Sequence, residues 1–169
     1  SLRPILSFRI PLGLMELGDP FMTMIACCRF RDGAVIIADA RATWRRGNHR
    51  AFQDTLQKIL HLGRKTAIAF AGDVTAAAVI VNQLRLRIKK KPRLGVLRKL
   101  AAEIPRIAKH YYGLCQSRTR SRERLALILA GVDTAGNVRI LCYESPFLRS
   151  RNLTTEFEVL GTGAVVKTY

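Results

Sequence analysis

Carboxylates are scarce in this chain: 12 Asp and Glu stand against 29 Lys and Arg, a formal charge of +17. So large an imbalance calls for a nucleic acid, an acidic substrate or an acidic neighbouring subunit, and charge alone does not choose among them. Cysteine is also sparse. The four residues Cys27, Cys28, Cys115 and Cys142 contain no CxxC pair, and neighbours on a strand point to opposite faces, so a reducing, cytoplasmic setting fits better than a disulfide framework. Histidine is limited to His49, His61 and His110, too far apart for ligand spacing, so no metal and no cofactor is expected. No apolar run is long enough for a membrane span or a signal-peptide core, because Arg9, Pro11, Glu16 and Asp19 interrupt the first 22 residues; a protein without membrane attachment is expected.

What the chain does hold is apolar material enough for one core. Of its 169 residues 49% are hydrophobic, which suits one domain rather than two. Residues 1–22 carry Pro4, Pro11, Gly13, Gly18 and Pro20 without a helical or strand period and read as a leader; the domain spans 23–169. Small and β-branched residues on either side of Arg31-Asp32-Gly33 predict a hairpin over 23–39, since Asp-Gly is a strong turn signal. Residues 41–54 have little apolar pattern and are expected to lack regular structure, while 56–62 and 66–70 form a second hairpin.

After Gly72 the period changes. Residues 74–88 predict a helix capped by Asp73 and ending in cations that suit its dipole. Apolar residues at 94, 97, 100, 101, 104, 107, 108 and 111 predict a second, amphipathic helix over 94–112, kinked at Pro105. A basic loop over 117–124, a third hairpin over 125–143 and a strand over 157–160 complete the order. Two hairpins, two helices, a hairpin and a strand make an α+β domain with antiparallel sheets and helices packed outside them.

In this order, Thr23-Met24-Ile25-Ala26, the run Asp32 to Thr43 with Asp39-Ala40-Arg41, Lys58-Ile59, Ala69-Phe70-Ala71-Gly72, Gly131-Val132-Asp133-Thr134-Ala135-Gly136-Asn137 and Gly161-Thr162-Gly163 resemble the proteasome β-type subunits, N-terminal nucleophile hydrolases. The likeness covers nearly all of 23–167. The bacterial HslV proteases share this ancestry, but usually carry a Gly-Asp-Gly-type turn where this chain has Ala38-Asp39-Ala40. The resemblance implies a four-layer αββα sandwich. Since the family's domain continues past the Gly-Ser-Gly strand, it also implies a C-terminally incomplete sandwich with apolar surface exposed; the family's further supporting Asp and Ser are therefore not placed.

The same resemblance implies a site. Thr23 would be the nucleophile, its own α-amine removing the hydroxyl proton, which requires that residues 1–22 be absent. Met22 directly precedes Thr23, so either Met22 is the true start or 1–22 is a propeptide cut at Met22–Thr23. Lys58 would sit beside the hydroxyl and favour the uncharged amine, with Asp39 holding Lys58. Gly72 would offer its N–H to the oxyanion, Thr162 would contact the amine in place of the usual serine, and Val74 would line an apolar substrate pocket. Taken singly, each has a plainer reading: a strand threonine, a surface ion pair, a turn glycine. The order and spacing favour the site.

The implied activity is a threonine endopeptidase acting on polypeptides within a self-associating ring served by a regulator ATPase. A catalytically silent ring subunit is the alternative. A nucleic-acid-binding protein ranks last, because aromatic residues are not interleaved with the basic segments at 85–93 and 118–124.

Overall fold

A computed structural model describes residues 23–46, 49–115, 125–145, 148–153 and 156–161. The basic loop expected at 117–124 lies outside them, as do residues 1–22, where a leader is expected, and Thr162.

The first hairpin pairs β1 (Met24–Arg29) with β2 (Ala34–Ala38), and its turn closes with Phe30 N–H donating to Gly33 O at 2.8 Å. The other edge of β1 is taken by β10 (Phe157–Gly161), giving a three-stranded antiparallel sheet in the order β10-β1-β2. A second sheet runs β5 (Ile59–Gly63), β6 (Thr66–Gly72), β7 (Leu125–Val132), β8 (Val138–Glu144) and the short β9 (Arg151–Asn152), again antiparallel throughout.

Residues 41–54 correct the sequence-based expectation. They form a two-stranded ribbon of β3 (Ala42–Arg46) and β4 (His49–Gln53). The ribbon joins neither sheet, so its strands need none of the alternation that marks a core strand.

Between the large sheet and the chain surface lie α1 (Val74–Lys90), a short 3-10 turn (Pro92–Gly95) and α2 (Leu97–Cys115). Asp73 caps α1, its Oδ1 accepting the Ala76 N–H at 2.8 Å, which satisfies one of the donors a helix start leaves open. Pro92 cannot continue α1 but opens the following turn, where its missing N–H costs nothing. Pro105 lies inside α2, which continues past it.

Strand β7 shows how the layers are built. Leu125, Leu127 and Leu129 point to the helices and join Ile80, Leu84, Leu100 and Ile104, whereas Ala126, Ile128 and Ala130 point to the small sheet and meet Ile25, Cys27 and Leu160. Strict alternation thus serves two cores at once, and both faces are apolar because both are covered. The result is a helix–sheet–sheet stack of α+β type. Each fully buried Leu or Ile adds about 2 kcal/mol. The outer face of the small sheet differs: Val35 and Phe157, both paired with Cys28 across β1, are 49% and 48% exposed, and Ile37 is 58% exposed.

Candidate active site

Thr23 is the residue before β1, and the strand register sets its surroundings. Met24 lies opposite Gly161 on one side, and Ile25 opposite Ala38 on the other. Gly161 therefore stands beside Thr23. Its φ of +94° is a left-handed conformation, and an added Cβ would run into the Thr23 carbonyl oxygen; only glycine fits.

From the large sheet, β6 ends at Gly72, whose φ is +92°. This turns its N–H toward the small sheet, where it donates to Thr23 Oγ1 at 2.9 Å. The contact spans 49 residues of sequence and exists because Ala69, Ala71 and Ala126 keep the side chains between the sheets short.

The third component follows β2. Asp39 accepts the Met24 N–H at 2.5 Å through Oδ2, and its own N–H donates to the Met24 carbonyl at 3.2 Å. Through Oδ1 the same carboxylate accepts from the Lys58 ammonium in an ion pair. Lys58, just ahead of β5, is 2% exposed, and its carbonyl accepts the Phe70 N–H at 3.2 Å. A cation this deep in the fold is sustained by such a partner, since an unpaired buried charge is costly.

The geometry thus gathers Thr23, Asp39, Lys58 and Gly72 from the ends of four strands. They comprise a hydroxyl, a backbone N–H directed at it, and a half-buried carboxylate, paired with a buried ammonium and tied to the next residue's backbone. That is the donor and charge pattern of acyl transfer by an oxygen nucleophile. A scan of family models matches residues 23–145 to the proteasome subunit family. The chain belongs to that family. The matched segment opens at the hydroxyl residue itself and ends just beyond β8. Among curated proteins no sequence matches the chain closely enough to name a relative.

The proteasome reading leaves two expected site residues to be placed. Val74, the first residue of α1, is partly buried and packs against the helix-side core, two positions from Gly72. Thr162 falls outside the described residues. Sequence reasoning missed the Met24 amide and undervalued Gly161: the first is a backbone group with no side-chain signature, and the second was one of two glycines in a motif that does not say which turns left-handed.

Asp73, between Gly72 and Val74, has its carboxyl pushed above the ordinary range by burial, against the pull of the backbone donors of Ala76 and Thr75. Its side chain is committed to capping α1. Among the described residues no three His, Cys, Asp or Glu side chains group as a metal site, and no helix is long and apolar enough to cross a membrane.

Proposed function

We propose that this chain is a threonine endopeptidase subunit of a proteasome-like ring, with Thr23 as its nucleophile once residues 1–22 have been removed. The single observation that supports it most is the approach of Gly72 N–H to Thr23 Oγ1 at 2.9 Å, with the buried Lys58 held by the Asp39 carboxylate that also binds the next residue's amide.

With Thr23 first, its α-amine takes the hydroxyl proton and Oγ1 adds to the peptide carbonyl. The carbonyl oxygen becomes an anion for which Gly72 N–H is the nearest prepared donor. Collapse expels the amine product, which receives the proton, and leaves an ester on Oγ1 that water hydrolyses. Lys58 keeps positive charge close to the amine and favours its proton-free form. Thr162 is assigned to the amine and Val74 to an apolar substrate pocket on the strength of the motif alone. Polypeptide substrates, a ring of like subunits, a regulator ATPase and a reducing cytoplasmic setting belong to the same proposal.

A second reading follows from the bond between Met22 and Thr23. While it persists, Thr23 N is an amide and has no lone pair to act as base, so an uncut chain is a silent subunit of the same fold. Intact mass and N-terminal sequencing decide between them: a chain starting at Thr23 that cleaves a fluorogenic peptide, and loses that cleavage in Thr23→Ala, supports the peptidase. A chain retaining residues 1–22, inactive even after a protease has cut before Thr23, overturns it.

A further inference from the structure

The helix layer carries its charge unevenly. Its one described carboxylate, Glu103, already serves two cations, Arg87 and Arg106. At the corner where α1 ends and α2 begins, Lys89, Lys90, Arg93, Arg98 and Lys99 are exposed and have no carboxylate partner among the described residues. A distant segment adds to them. The β5–β6 turn brings exposed Lys65 to the same place, for the site of an added Cβ on Gly131 is 2.6 Å from the Lys65 carbonyl and 3.3 Å from Leu97 Cδ1, at the start of α2.

This arrangement opposes folding. Like charges repel, and Arg98 and Lys99 stand in the first turn of α2, which has no acidic residue and presents the positive end of the helix dipole. One turn back along α1, Leu86 is 52% exposed, with Lys89 and Lys90 as its neighbours at helical spacing. We propose that this corner is a docking surface for an acidic protein segment, its carboxylates on the cations and an apolar side chain on Leu86. An apolar anchor inside a charged rim is the anatomy of a protein contact. A phosphate backbone has no use for the leucine. The aromatic side chains found exposed among the described residues, Phe30 and Phe157, belong to the small sheet rather than to this corner. The surface lies at the opposite end of α1 from Gly72, about 25 Å away at the rise of a helix, so a partner there leaves Thr23 open.

The test is binding of a labelled peptide of repeated Glu-Leu-Glu-Glu units to the full chain, beside a DNA duplex of equal charge. The peptide should bind and weaken about tenfold as salt is raised from low to high. Leu86→Gln should cost about tenfold, and Lys90→Glu with Lys99→Glu should abolish binding. Arg31→Glu with Lys109→Glu, the same change in net charge placed elsewhere, should leave it nearly unchanged. If the charge reversals unfold the chain by circular dichroism, Lys90→Gln with Lys99→Gln takes their place. Equal losses from the two charge pairs would mean attraction by bulk charge and overturn the proposal. So would tighter binding of the duplex, or no effect of Leu86→Gln.

Discussion

The carboxylate of Asp39 holds the buried ammonium of Lys58 with one oxygen and the Met24 amide with the other. It joins the start of β1 to a buried charge that it neutralises. Replacing Asp39 by Asn keeps an acceptor for Met24 but strands Lys58, and should cost about 3 kcal/mol. Lys58→Met in the same chain should restore most of this, because no buried charge is then left unpaired. Urea unfolding of the two single variants and the double gives the coupling; equal costs for Asp39→Asn in the two backgrounds would show the pair to be irrelevant to stability.

Gly161→Ala should be destabilising by about 2 kcal/mol, since a Cβ meets the Thr23 carbonyl in a left-handed backbone. Gly33→Ala, with open space around the position, is the control and should change little. Thermal melts of both variants read the difference.

Asp73 gives a dependence on pH. Burial raises its carboxyl above the ordinary 3.8, so the folded state binds the proton more tightly than the unfolded one. The sign is that of a raised group: its contribution is greatest below the unfolded value and declines as pH rises through the folded one. Stability of the native chain relative to Asp73→Asn should therefore fall as pH climbs upward from about 4. Asp73→Ala removes the cap of α1 and should cost about 1 kcal/mol near pH 4 and less as the pH rises.

Cys27 and Cys28 should behave as opposites toward a thiol reagent. Burial pushes the Cys27 thiol up to about 12, while Cys28 is on the other face of β1 and is partly exposed. Brief treatment with iodoacetamide followed by peptide mapping should find Cys28 modified in the native chain and Cys27 only after denaturation.

Much of this was legible in the residues for identifiable reasons. Asp32-Gly33 fixed the first hairpin, the change of period after Gly72 marked α1, and Asp73 was read as its cap. The grouping of Asp39 with Lys58, 19 residues apart, came from a motif rather than from any local pattern, since spacing says nothing of which strands meet. The β3–β4 ribbon was illegible because residues 41–54 are dominated by Arg and other polar side chains and show no apolar alternation. Helix α2 began at Leu97 and not at residue 94, since Pro92 starts a 3-10 turn that carries the chain through Gly95 before the α-helical bonds begin.

Strand β1 is the middle of its sheet, with β2 on one edge and β10 on the other. A chain that is cut acquires a loose end, and loose ends fray because the last residues have lost one neighbour and gained freedom. Here a cut before Thr23 would free an end whose very next residue is already fastened three ways: to Gly161 by strand pairing, to Asp39 by its amide and to Asp39 again by its carbonyl. Severing the backbone at that point would therefore release residues 1–22 without releasing the residue they precede, so the new terminus would be rigid from the moment it is made.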